Sequence, residues 1–311
     1  METFARERAI AITNSLDLST RRSYSSALNS WIAFVNMHNF SIEPTPDTLS
    51  FFIVYMSHHI EPRSVKSYLS GLVQQLEPDF PNIREIRRSR LIKQVLNGCL
   101  KLKSKPISRK EPLSVTDLQF LEQKFHGTQS HDNLLFAAML FTGFHGLLRL
   151  GDMSFPDDPN IREWRKITRR STLSIGHCNY TFILPSHKGD KFFEGNKVLI
   201  RSFDSQSVDP TPVFLSYLSS RDQLFPASSP LWLTSEGTVP SRSFFMTRFR
   251  LFYSKSYGGA SMRAGGATQL ALLGASSKVI RGMGRWTSKA WELYIRVHPT
   301  LLHALLHRPR R

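Results

Sequence analysis

The sequence predicts a mainly α protein of two helical units, the second of which carries one small three-stranded antiparallel sheet. Three observations carry this expectation. Apolar residues recur at helical spacing through most of the first 103 positions and again from Thr211 onward. A polar, basic stretch with two prolines, KLKSKPISRKEP at 101–112, has no apolar period and reads as an interdomain linker. Between 172 and 200 the period shortens to an alternation of two.

The first unit, 1–103, reads as four helices with short connections. Behind a Ser19-Thr20 cap, Tyr24, Ala27, Leu28, Trp31, Ile32 and Val35 fall on one face. Pro44-Thr45-Pro46-Asp47 opens a second helix over 48–59, rich in Phe51, Phe52, Val54 and Tyr55. Pro62-Arg63-Ser64 opens a third over 65–76, and 83–102 forms the fourth. After the linker at 104–112, the second unit occupies 113–311. A helical pattern starts at Ser114 and continues through Leu118, Leu121 and Phe125, followed by an apolar helix over 133–142. Strands at 172–175 and 180–184 turn about Cys178-Asn179, and 197–200 adds a third strand after the loop 187–196. The helical pattern then resumes, interrupted around Leu231-Trp232-Leu233.

Charge narrows the partners. Forty-one Lys plus Arg against 24 Asp plus Glu gives a net charge of +17. Such an excess attracts polyanions, and each duplex phosphate neutralised adds about 0.9 to the salt slope of binding. Nucleic acid is the better expectation; RNA, an anionic membrane or mere basicity are the alternatives. No apolar run is long enough to span a bilayer, and the start METFARERAI is not expected to act as a secretory signal. Cys99 and Cys178 are too few for a disulfide framework or a Cys-rich zinc site; they are expected to be two buried thiols in a reducing compartment. Basic residues gather at the helix starts of the first unit: Arg21, Arg22, Arg63, Lys66, Arg84, Arg87, Arg88, with Arg90 and Lys93 beyond. Positions 84, 87 and 88 share a helix face and suit a phosphate strand, although a solvated charged face explains any single one as well.

Three separated clusters bear chemistry. The first is Thr142-Gly143-Phe144-His145-Gly146-Leu147-Leu148-Arg149-Leu150-Gly151-Asp152, which holds one Arg where an apolar helix ends. The second is the loop Leu184-Pro185-Ser186-His187-Lys188-Gly189-Asp190. The third runs Ser261-Met262-Arg263-Ala264-Gly265-Gly266-Ala267-Thr268, then Gly284-Arg285-Trp286, then Leu293-Tyr294-Ile295-Arg296. Singly, each has a plain structural explanation: a core Tyr, a buried Arg, a turn Lys, a core Trp, and glycines that let helices approach.

The ordered set resembles the catalytic domain of tyrosine recombinases (phage-integrase family), closest to the Cre-like and Crypton-like branch. The resemblance covers roughly 113–311, and the helical first unit is similar to that family's SAM-like, DNA-binding core-binding domain. It implies a site-specific recombinase or integrase that cuts and rejoins double-stranded DNA through a 3′-phosphotyrosyl link, without metal or cofactor. Tyr294 would be the nucleophile, since a stored phosphodiester-like bond needs no nucleotide to reseal. Arg149 and Arg263 would clamp the non-bridging oxygens of the pentacoordinate phosphorus. Lys188 would protonate the leaving 5′-oxygen, with Lys191 in the same loop as its competitor. Trp286 would bond phosphate through its indole N–H, and Asp152 would orient Arg149.

One position departs from the family. Where H-x-x-R is usual, Ala260 precedes Arg263. A methyl group offers no proton or donor, and losing one transition-state donor costs about 3 kcal/mol, roughly a hundredfold in rate. A His restored at 260 is then expected to speed cleavage, unless His145 or His187 already substitutes. The alternative is a DNA-binding protein that keeps the fold without cutting; a type IB topoisomerase-like relaxing enzyme is a third reading. The leucine face of 301–306 would dock into a neighbouring protomer and link a homo-tetramer on two duplexes, or else pack on its own domain. The expected location is intracellular and DNA-associated, nuclear in a eukaryotic host.

Overall fold

The chain separates into two compact units, Met1–Ser108 and Arg109–Arg311. The computed structural model describes residues 1–186, 190, 194–204, 208–288 and 291–292.

The first unit is built from α1 (Glu2–Asn14), α2 (Leu18–His38), α3 (Pro46–His59), α4 (Pro62–Leu76), α5 (Ile83–Arg88) and α6 (Arg90–Lys103). Two of the starts have a clear side-chain cap. Thr45 Oγ1 accepts from the Thr48 N–H at 3.1 Å, and Thr48 Oγ1 accepts from the Thr45 N–H at 2.9 Å, a reciprocal cap with Pro46 in the first turn. α2 starts at Leu18 with Asp17 at its cap, a little before the expected Ser19-Thr20. The expected fourth helix is two: Ser89 adopts an extended conformation and its Oγ caps Ile92 N–H at 3.4 Å, so it closes α5 and opens α6. Trp31, Phe34, Phe52, Val65, Leu72 and Ile92 fill the core. The Trp31 indole meets Phe52 edge-on at 5.3 Å and donates to the Ile42 carbonyl at 3.0 Å. Gly71 lets α4 close on α2: a Cβ there would lie 3.0 Å from Ala27 Cβ.

The second unit contains α7 (Val115–Phe125), α8 (His131–His145), α9 (Pro210–Leu224), α10 (Arg242–Phe249), α11 (Ser261–Leu272) and α12 (Ser277–Gly284). α8 is buried all round from Leu135 to His145, as an apolar helix must be, and packs against α7, α9 and α11. The strands β1 (Ser174–Ile175), β2 (Tyr180–Leu184) and β3 (Asn196–Ile200) form one antiparallel sheet in that order, with Tyr180 opposite Ile200. Tyr180, Phe182 and Leu184 face inward with Val198 and Ile200, while Ile183 and Leu199 face outward. Tyr180 stacks on Phe214 at 3.9 Å and shares a 2.6 Å hydrogen bond with Thr142, tying sheet, α9 and α8 together.

The protein is therefore mainly α with one small three-stranded antiparallel sheet, as expected. Some details differ. β1 is only two residues long because 170–172 form a 3-10 turn. The expectation of two buried thiols holds for Cys99 and fails for Cys178, which is exposed in the β1–β2 turn where no core is available. Among the described residues no helix is long and apolar enough to cross a membrane.

Candidate active site

α8 delivers Arg149. Past His145 the chain turns through Gly146 and Leu147, the latter in the left-handed region at φ 49°. That conformation is costly for a γ-branched residue, and tertiary packing holds it: the Leu147 side chain is buried with Ala267, Leu270, Ile280 and Trp286. Arg149 follows in extended conformation. Its main-chain N–H donates to Asp152 Oδ2 at 2.8 Å, and Asp152 N–H returns to the Arg149 carbonyl at 2.9 Å. The observed Asp152 contact thus fixes the backbone of Arg149 rather than its guanidinium. Nη1 of Arg149 is buried with no hydrogen-bond partner among the described residues.

α11 carries Arg263, which is only 2% exposed. Two glycines allow the helix in. A Cβ on Gly265 would overlap the Leu113 carbonyl oxygen, and one on Gly266 the Phe144 carbonyl oxygen. The Arg263 guanidinium donates to the Gly284 carbonyl at the end of α12, and its carbon sits 4.2 Å from the Trp286 ring centroid. Trp286 folds back over Gly284, where any Cβ would strike its ring. The Gly-Arg-Trp triplet thereby becomes legible: Gly284 makes room, Arg285 turns the chain at φ 53°, and Trp286 covers Arg263.

Arg285 has a function that sequence reasoning missed. Its Nη2 donates to the carbonyls of Gly146 and Leu147 at 3.1 and 3.0 Å, and its Nη1 to the Met283 carbonyl at 2.9 Å. A cation there satisfies orphan oxygens beyond α8 at the negative end of its dipole. Burial lowers the Arg285 pKa; the Asp152 carboxylate raises it and the Arg149 charge lowers it, so all three lie within one electrostatic neighbourhood. The only sequence signal was its place inside the Gly-Arg-Trp triplet.

Ala260 is the N-cap of α11, exposed and without a side-chain cap. The Leu150 side chain packs against the preceding glycine: a Cβ on Gly259 would lie 3.1 Å from Leu150 Cδ2. That contact joins the Arg149 turn to the start of α11. His145 is fully buried, with Nδ1 3.0 Å from the Phe141 carbonyl and the ring 5.0 Å from Phe203. Burial pushes its pKa down to about 4, so it is neutral near pH 7. Lys188, its competitor Lys191, His187, Tyr294 and the 301–306 face lie outside the described residues.

In the first unit, Lys66, Arg84, Arg87, Arg88 and Lys93 line a groove of about 350 Å³ with an apolar floor. Arg84 forks onto Glu77, with Nε 2.6 Å from Oε1, a bond that lowers the Glu77 pKa. Arg87 donates to Ser70 Oγ at 2.9 Å, and Arg63 to the Lys105 carbonyl at 2.9 Å. Arg21 and Arg22 are the fourth and fifth residues of α2 and are not among that groove's lining residues. Among the described residues, no group of three or more His, Cys, Asp or Glu side chains could hold a metal ion.

No family model matches the chain, and none of the curated proteins does. Solved structures do. XerH site-specific recombinase bound to palindromic difH substrate, in a post-cleavage complex, is similar with a TM-score of 0.58 at 12% identity, over 92% of this chain and 78% of that one. A lambda integrase dimer bound to a COC′ core site gives 0.57 at 13%, over 94% and 93%. A lambda integrase tetramer bound to a Holliday junction gives 0.54 at 14%, over 94% and 75%. The chain has the fold of the tyrosine recombinases and integrases. That is the fold its ordered motifs resemble.

Proposed function

We propose that the protein is a tyrosine-type site-specific recombinase or integrase that cleaves and rejoins double-stranded DNA through a 3′-phosphotyrosyl intermediate. The observation that carries this reading is the contact between Arg263 and Trp286, on a fold in which Arg285 ties the same locale to the Arg149 turn. The Arg263 guanidinium is held by packing and the Arg149 backbone by Asp152, and donors held in place in this way need little reorganisation to meet charge that develops on a phosphorane. The Tyr294 oxygen loses its phenolic proton to solvent and bonds to phosphorus as the bond to the 5′-oxygen breaks, that oxygen taking a proton from Lys188 (or Lys191); a 5′-hydroxyl of a new partner then attacks the phosphotyrosyl link and expels Tyr294. No cofactor or metal enters this scheme. The similar DNA-bound dimer and tetramer support duplex DNA as partner; a homo-tetramer joined through the leucine face of 301–306 is the working assembly that we propose. Lys66, Arg84, Arg87, Arg88, Arg63, Arg21 and Arg22 supply phosphate contacts from the first unit, which acts as the core-binding domain; 109–311 acts as the catalytic domain.

Ala260 supports a second reading, a DNA-binding protein that keeps the fold and no longer cuts. A pool of nicked suicide duplexes of randomised sequence separates the two. An SDS-stable protein–DNA adduct is the outcome for a recombinase. Tight, salt-sensitive duplex binding with no adduct is the outcome for the second reading.

A further inference from the structure

The main chain at the start of α10 is stitched to the segment that follows the Arg149 turn. Phe155 N–H donates to the Pro240 carbonyl at 2.9 Å, and Arg242 N–H donates to the Phe155 carbonyl at 2.8 Å. Ser243 N–H donates to Asp157 Oδ1 at 2.7 Å. This stitch sets Arg242, the first residue of α10, beside the loop that enters α11. Nη1 of Arg242 lies 3.5 Å from the place a Cβ on Gly259 would occupy. The next residue is Ala260. On the same glycine, 3.1 Å from that Cβ position, rests Leu150, the neighbour of Arg149. Gly259 is thus flanked by an Arg242 guanidinium and by the residue after Arg149.

Arg242 is exposed, and its guanidinium makes no hydrogen bond or ion pair with another described residue. Asp157 feels its charge without closing on it. This exposed cation lies beside a buried glycine, one residue before Ala260 and against the residue that follows Arg149.

We propose that Arg242 is a catalytic residue: its guanidinium contacts the scissile phosphate and supplies the charge that the methyl group of Ala260 does not. The inference rests on the recombinase reading. A guanidinium can reach along its three-carbon stem from α10 to a phosphate at the α11 start, and it donates in a fork that suits two phosphate oxygens. It is charged at any physiological pH, so it stabilises negative charge but does not shuttle protons.

The test measures adduct formation by the full chain on the pool of nicked duplexes. Arg242→Ala is expected to slow the adduct roughly a hundredfold, the loss typical of one transition-state donor, with duplex affinity nearly unchanged. Arg242→Lys should retain part of the rate, since a point charge remains without the fork. Ala260→His should restore most of the rate in the Arg242→Ala background and add little to the native chain, because both side chains would serve one phosphate. Thermal melting of the variants should match the native chain. Adduct formation by Arg242→Ala at the native rate overturns the inference. So does an equal gain from Ala260→His in both backgrounds. An absence of adduct from the native chain and from Ala260→His alike overturns the recombinase reading itself, and this inference with it.

Discussion

The guanidinium of Arg263 lies against the face of Trp286, its carbon 4.2 Å from the ring centroid, while its Nη2 is spent on the Gly284 carbonyl. One face and one edge of the cation are therefore fixed by the protein. Trp286→Phe keeps an aromatic face over Arg263 and removes the indole N–H. It should cost less than about 1.5 kcal/mol in urea unfolding. Trp286→Ala opens the cluster around Leu147 and Leu270 and should cost about 3–5 kcal/mol. If Trp286 also bonds phosphate, Phe loses cleavage rate at nearly native stability; an unchanged rate for Phe would leave Trp286 a packing residue.

Arg285→Ala removes charged donors from the Gly146 and Leu147 carbonyls. Hydrogen bonds to a charged group contribute about 1.5–3 kcal/mol, so a loss of about that size is expected by chemical denaturation. Because the same carbonyls precede Arg149, cleavage should fall further than the fraction folded. Arg285→Lys should recover little, since an ammonium lacks the planar fork that spans two carbonyls.

Two glycine substitutions should move stability in opposite directions. Gly266→Ala drives a methyl into the Phe144 carbonyl and α8 away from α11, at a cost of about 3 kcal/mol. Gly282→Ala, on the exposed side of α12 with nothing within 4 Å, should stabilise by about 0.5–1 kcal/mol through helix propensity. Midpoints from urea titrations of the two variants check both signs.

The contrast between those glycines marks where the sequence is legible. Gly265-Gly266 beside Arg263 signals close helix approach, and the buried face of α8 follows from its apolar run. Alternation around Cys178-Asn179 signals the β1–β2 hairpin, whereas its register, Ile175 opposite Tyr180 across a Gly176–Asn179 turn, is set by the structure. What stays hidden depends on contacts between distant positions. Arg285 meets Leu147 across 138 residues, and no local pattern distinguishes a capping Arg from an exposed one. Arg242 reaches Gly259 through a stitch of main-chain bonds that involves Phe155. The break at Ser89 is a local cap signal inside a periodic run, where periodicity alone predicts one continuous helix.

His145 makes stability depend on pH. Its folded pKa is about 4 because burial disfavours the imidazolium, against about 6.5 when unfolded. The unfolded chain therefore binds the extra proton first. Stability is complete above about pH 6.5 and is lost as pH falls towards 4, by about 3 kcal/mol in all. The carboxylates with lowered pKa values, Asp157 and Asp222 among them, lose their contribution only at lower pH. His145→Gln should flatten the stability curve between pH 6.5 and 4 in denaturant titrations, while a curve that keeps its slope would assign the loss elsewhere.

Cleavage by Tyr294 is the step on which the proposed function rests. The measurement is the mass of the tryptic peptide that carries nucleotide after the native chain is trapped on nicked suicide duplexes, with Tyr294→Phe run beside it. The expected result is a nucleotide adduct on the peptide containing Tyr294 and none from Tyr294→Phe. An adduct on another residue, or equal trapping by Tyr294→Phe, would contradict it.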